Sequence, residues 1–434
     1  MITAEYTLPG IHVRDHLVDV PLDWGDPDGA TLKVFARELA DPERRHEDLP
    51  YLAYLQGGPG GRSPRPLAAG GWIGAALRTH RVVLLDQRGT GRSTPVDGAV
   101  MSALGSGAAG AAYLAHFRAD AIVADAEHLR KTVFGGRPWT TLGQSYGGFL
   151  TLTYLSKAPG GLHACLVTGG LASVTPSADA VYRCTYPRVE AKNRAYRERY
   201  PHDTGLVARI AERLAAGGVT LPDGDVLTVR RLQTLGLDFG MKPGYERVHW
   251  LLDEAFAEGP GGERLTDTFL AGVRDRTAFD TNPLFAALQE SIYASGANGP
   301  TGWAAERERA LRPQFAEDAR PLLFTGEMMY PWMFEEIRAL RPFRPAVELM
   351  AAREEWPELY DLGRLAANDV PVAAAVYFDD MYVDSGLQLE TAARVGNAHA
   401  WVTNEYEHDG LHETDRVFAH LTGLLKEKGA FTAG

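Results

Sequence analysis

Two cysteines in 434 residues, Cys165 and Cys184, are too few for a disulfide framework, and their spacing demands no bridge. They are expected as free thiols in a reducing compartment. Basic runs are missing too. With 44 Lys and Arg against 56 Asp and Glu, the formal net charge is −12, so neither nucleic acid nor a membrane surface is an expected partner. No apolar stretch approaches the roughly 18 residues of a membrane span. Met1 to Gly10 lacks a basic segment followed by an apolar run, so no secretory leader is visible and the expected location is cytoplasmic. Internal repeats and low-complexity tracts are absent as well. What remains, 45% hydrophobic and 23% charged residues, has the balance of a globular chain long enough for a large core plus an insertion.

Against that background one stretch stands out, Thr140-Thr141-Leu142-Gly143-Gln144-Ser145-Tyr146-Gly147-Gly148. It contains Gly-x-Ser-x-Gly, the signature of a serine on a sharp turn between a buried strand and a helix. Alone, the pattern is common in glycine-rich chains. Its context is more specific: Pro138–Leu142 suits a short strand, Phe149–Leu155 a helix, and Pro159-Gly160-Gly161 a helix stop.

Strands are expected at Ile11–Pro21, Thr31–Arg37, Tyr51–Leu55, Arg81–Leu85 and Ala164–Thr168, and again at Val370–Tyr377 and around Val402. Several are short apolar runs, which suit parallel strands covered on both faces. Between them, Ile122, Ala126, Leu129 and Val133 recur at helical spacing. Residues 99–112 are rich in small residues and read as a flexible loop or a helix start. This alternation implies an α/β fold, mostly parallel sheet flanked by helices. From 172 to 365 buried β runs give way to segments rich in Arg, Glu and aromatics, expected as helices at Tyr186–Tyr200, Thr204–Ala216, Tyr245–Ala257 and Gly302–Leu311. That places an inserted helical cap domain at 172–365, between core parts 1–171 and 366–434. A last helix is expected near Glu413–Lys426.

A serine hydroxyl attacks poorly unless a histidine takes its proton and a carboxylate holds that histidine. After such an elbow the acid and the base follow in that order, on loops after late strands. The strand Val370–Tyr377 runs into Asp379, Asp380 and Asp384; the strand around Val402 runs into His408 and His412. His408 lies nearer the strand end, whereas His412 begins the final helix. As a metal pair at i, i+4 these histidines lack a third ligand nearby, so neither metal nor cofactor is expected.

Gln56-Gly57-Gly58-Pro59-Gly60, Asp86-Gln87-Arg88-Gly89-Thr90-Gly91-Arg92-Ser93 and Gly143-Gln144-Ser145-Tyr146-Gly147-Gly148 together resemble the proline iminopeptidase family of α/β-hydrolases. Three positions depart from the family pattern, Gln56 for histidine, Gln144 for glycine and Tyr146 for tryptophan, as in a longer, divergent branch. The resemblance implies Ser145 as nucleophile and His408 as base. Asp380 is implied as acid, because Tyr377-Phe378-Asp379-Asp380 matches the family's Gly-Arg-x-Asp turn. It further implies an oxyanion hole from the backbone N–H groups of Tyr146 and Gly58, and cap glutamates that hold a free α-ammonium. Glu327, in Thr325-Gly326-Glu327-Met328-Met329-Tyr330, and Glu290 are the positions for those glutamates, with structural ion pairing as the rival role. The implied activity is a serine aminopeptidase that releases an N-terminal residue, preferably proline, from peptides through an acyl-enzyme. An esterase, an amidase or an aminopeptidase of other specificity is the alternative. The implied partner is a peptide with a free N-terminus; the sequence carries no indication of oligomeric state.

Overall fold

The computed structural model describes residues 2–431. Seven strands come first in the chain: β1 (Ile2–Leu8), β2 (Ile11–Pro21), β3 (Thr31–Ala40), β4 (Tyr51–Leu55), β5 (Arg81–Asp86), β6 (Trp139–Gln144) and β7 (Leu162–Thr168). Two more, Val372–Tyr377 and Ala398–Thr403, follow a long helical segment. All nine form one sheet in the order β1-β2-β3-β5-β4-β6-β7, then Val372–Tyr377, then Ala398–Thr403. The pairings from β5 onward are parallel, and those among β1, β2, β3 and β5 are antiparallel.

Every residue of β5, β6 and Val372–Tyr377 is buried, because helices cover both faces. Successive side chains of a strand point to opposite faces, and β4 illustrates the result. Leu52 and Tyr54 join a core with Trp72, Leu77, Phe418 and Leu421. Ala53 and Leu55 join the other, with Ile122, Ala126, Leu129 and Phe149. The helical spacing read at Ile122 to Leu129 is the buried stripe of the helix Ala119–Thr132.

Four local features add to the sequence reading or correct it. Ile2–Leu8 is a strand, invisible in the sequence because it is an edge strand exposed at five of its seven positions. Residues 98–114, left open between a flexible loop and a helix start, form two helices, Gly98–Ala103 and Gly107–Leu114. The side chains of Asp97 and Ser106 accept backbone N–H bonds at their starts, and alanine carries them onward. The helix read as Tyr245–Ala257 stops at Asp253, and Phe256–Gly259 pairs with Gly262–Leu265 as a small hairpin. The final helix is split, since Thr414 is extended between Gly410–Glu413 and Arg416–Glu427.

Between β7 and Val372 the described residues are helices, turns and loops apart from that hairpin. The longest helix there, Ala178–Arg199, begins eight residues earlier than the sequence suggests. It runs through Pro187, which removes one backbone donor without ending the helix, and Ser177 caps its start.

Candidate active site

β6 delivers its last residue, Gln144, to a turn in which Ser145 adopts φ 55 and ψ −123 before the helix Tyr146–Lys157 begins. A non-glycine residue in that region is strained, and the surroundings hold it there. The Ser145 N–H donates to the carbonyl of Thr168 at 2.9 Å, and its own carbonyl accepts from Gly148 at 2.7 Å. The turn also needs space. A Cβ added to Gly147 would lie 1.9 Å from the carbonyl oxygen of Leu55, a backbone atom that cannot rotate away. Gly147→Ala is therefore expected to destabilise the fold by about 3 kcal/mol or more; a melting temperature equal to wild type would show that β4 and the elbow can separate.

The Gly57-Gly58 turn packs directly on this elbow, for a Cβ on Gly57 would come within 3.0 Å of the Ser145 Cβ. Gly58 follows at φ +121, a conformation that side chains rarely adopt. Tyr146 is buried, with its ring 5.7 Å from that of Phe149. The third glycine-rich loop is scaffolding. Asp86 accepts from the N–H groups of Ser63 and Arg92 at 3.0 and 2.9 Å, and the Gln87 amide donates to the carbonyl of Gln56 at 2.8 Å. Arg88 is fully buried; it makes paired bonds to Asp125 at 2.6 and 2.7 Å and donates to the carbonyls of Pro21, Leu22 and His116.

On the loops after the last two strands of the sheet, His408 and Asp380 meet. The ring Nδ1 lies 2.7 Å from Asp380 Oδ2, while Oδ1 accepts the N–H groups of Tyr382 and Val383 at 2.8 and 3.1 Å. Asp379, one residue earlier, is exposed. Asp384 is engaged elsewhere: it caps the helix Ser385–Arg394 and pairs with Arg188 at 3.1 Å. His412 is exposed on the short helix after the loop. Burial pushes the His408 imidazole down, but the charge of Asp380 and its hydrogen bond outweigh that and leave the pKa above its ordinary value. The other ring nitrogen, Nε2, is buried and has no hydrogen-bond partner among the described residues.

Two glycines after β7, unremarked in the sequence, pack against the serine turn and the histidine in succession. A Cβ on Gly170 would collide with the Ser145 carbonyl oxygen at 2.3 Å, and one on Gly169 would lie 3.1 Å from His408 Nδ1. Adjacent residues thus touch both groups. Tyr382 adds an edge contact, its ring centroid 4.8 Å from that of His408. The helical segment also reaches this loop. Gly240 accepts the His408 backbone N–H at 3.0 Å, Lys192 pairs with Glu407 at 2.6 Å, and the Lys242 ammonium donates to the carbonyl of Glu405 at 2.7 Å.

Glu327 lies partly buried in the same electrostatic neighbourhood. Desolvation pushes its carboxyl up to about 7; the positive charge of His408 opposes that shift, the negative charge of Asp380 adds to it, and a hydrogen bond from Gln289 opposes it. Tyr182, Tyr293 and Tyr382 all feel its charge, on top of burial that raises each phenol. Gln289 is thus a further polar group at this site, and no motif marked it. Glu290 points differently. Its Oε1 accepts the N–H of Ala305 at 3.0 Å, at the start of the helix Ala304–Ala310, and Oε2 is without a partner among the described residues. Burial raises its carboxyl to about 7 too, although the helix N-terminus pulls the other way.

The sequence model of the alpha/beta hydrolase fold family matches residues 51–206. Over 425 residues the chain is 48% identical to the proline iminopeptidase of Aeromonas sobria, which covers 97% of this chain and 98% of that protein. The proline iminopeptidase aneH of Aspergillus aculeatus is 33% identical over 425 residues, 94% of this chain and 93% of that protein.

Proposed function

Because the chain belongs to the proline iminopeptidase family of α/β-hydrolases, we propose that it is a serine aminopeptidase releasing an N-terminal residue, preferably proline, from peptides. The observation that carries the reading is a desolvated carboxylate, Glu327, placed in the field of the His408–Asp380 pair. A hydrolase of neutral esters has no use for such a charge, whereas a free α-ammonium would neutralise it with charge-assisted hydrogen bonds.

In this reading Ser145 Oγ attacks the carbonyl carbon of the first residue while His408 Nε2 takes the hydroxyl proton. Asp380 holds the imidazole by Nδ1 and stabilises the imidazolium that forms. The N–H groups of Tyr146 and Gly58 receive the developing oxyanion. His408 then protonates the leaving amine, and water hydrolyses the acyl-enzyme by the same path in reverse. Residues 172–365 act as the cap over this centre. Within it Glu327 anchors the substrate ammonium, helped by Gln289. Glu290 supports the cap by holding the helix Ala304–Ala310, and its unpartnered oxygen is what remains for substrate.

A panel of aminoacyl-chromophore substrates, each free and N-acetylated, tests the activity. Release from free prolyl substrate, with refusal of its acetylated form, is the expected result. Equal turnover of the two forms would replace the aminopeptidase with a general esterase or amidase. For the base, His408→Ala is expected to lower kcat by roughly 10⁴, and His412→Ala to change it little. The opposite ranking in steady-state assays would move the base to His412.

A further inference from the structure

We propose that His202, Asp203 and His249 form a binding site for one divalent transition-metal ion, of the zinc class, on the outer part of the helical segment. The proposal is independent of the peptidase reading. Sequence spacing points to no metal, since only His202 and Asp203 are neighbours; the fold brings His249 to them across 46 residues. One donor atom from each of the three residues lies within 4.8 Å of the others. Asp203 Oδ1 is 3.2 Å from His202 Nε2 and 3.2 Å from His249 Nδ1. Bonds of about 2.0 Å at tetrahedral angles separate their donors by about 3.3 Å, so both nitrogen–oxygen edges already have the span an ion requires.

The groups around these donors suit a ligand set. The Tyr196 hydroxyl donates to Asp203 Oδ2, which also lies 3.0 Å from His249 Nδ1, and this fixes the carboxylate while Oδ1 stands within 3.2 Å of both rings. His249 is clamped by Tyr200, stacked at 4.1 Å with an interplanar angle of 7°. Asp203 and His249 are buried, whereas the His202 side chain is 66% exposed and leaves an entry path. Two imidazoles and one carboxylate make a three-donor set with an open fourth position for water. The buried anion offsets part of the ion's charge. Bound there, the ion joins the start of the helix Asp203–Ala215 to the helix Gly244–Asp253 and acts as a structural clip.

Chelator-treated full-length protein titrated with zinc chloride at pH 7.5, by calorimetry and thermal melting, tests the site. The expected result is one saturable equivalent and a melting temperature about 3 °C higher at a hundredfold excess over Kd. His202→Ala removes an exposed side chain and leaves the Tyr196–Asp203–His249 contacts, so the variant folds; its affinity is expected to fall at least tenfold, with the melting shift lost. Wild type that takes up no saturable equivalent, or a His202→Ala variant that binds as tightly as wild type, would overturn the proposal.

Discussion

Replacing Ser145 with alanine is expected to lower kcat on a prolyl substrate by roughly 10⁴ or more while leaving the melting temperature unchanged. The two halves of that expectation have separate causes. Without Oγ no acyl-enzyme forms, and the oxyanion donors and the cap have nothing to stabilise but a water attack. The fold, in contrast, depends on the backbone of Ser145, whose N–H and carbonyl are bonded to Thr168 and Gly148. Alanine keeps both bonds and tolerates φ 55 no worse than serine does. Intact-mass labelling with an organophosphorus reagent gives a second readout, one adduct on wild type and none on the variant. Turnover within tenfold of wild type would place the nucleophile elsewhere.

Glu327→Gln is expected to divide two activities that Ser145→Ala destroys together. Loss of one partner of a buried charged contact costs roughly 2–5 kcal/mol, which is about 30- to 5,000-fold in kcat/KM for a free prolyl substrate. A small neutral ester, which brings no ammonium, should be hydrolysed nearly as before. Stability is expected to move the other way. The Glu327 carboxyl sits at about 7 in the folded chain against 4.5 ordinarily, so folding holds its proton more tightly than the unfolded chain does. Stability from that proton is complete below pH 4.5 and is lost as pH rises through about 7; ionisation then costs on the order of 3 kcal/mol. At pH 8 the glutamine variant should melt at or above the wild-type temperature, and at pH 4 the difference should vanish. A variant that loses peptide and ester turnover together, or melts lower at pH 8, would make Glu327 a structural residue.

The legible parts of this site are those written in consecutive residues. Gly-x-Ser-x-Gly marks a turn whose sterics are local, and the collision that Gly147 avoids is the reason the second glycine stands there. Strand ends placed the candidate acid and base only to within a few residues. Asp379, Asp380 and Asp384 all follow one strand, and what separates them is tertiary: exposure for the first, a ring nitrogen for the second, a helix start and Arg188 for the third. Gln289, Gly169 and Gly170 escaped notice because their importance lies in what folds against them. The helical segment was the least legible. Its side chains serve neighbours distant in sequence, as with Glu290 at the helix Ala304–Ala310, and Pro187 concealed the true start of the helix Ala178–Arg199.

The contacts that Gly240, Lys192 and Lys242 make with the loop of His408 bear on how such an enzyme can change over time. A segment that only shaded the centre could be replaced to alter selectivity while reactivity stayed with the sheet and its loops. Here the helical segment between β7 and Val372 also moors the loop that carries the imidazole. A graft from another lineage would have to bring matching anchors, or the recipient would be slow toward every substrate, favoured or not. Exchange of the whole helical segment would thereby be penalised, whereas point changes within it that leave Lys192, Gly240 and Lys242 in place would not.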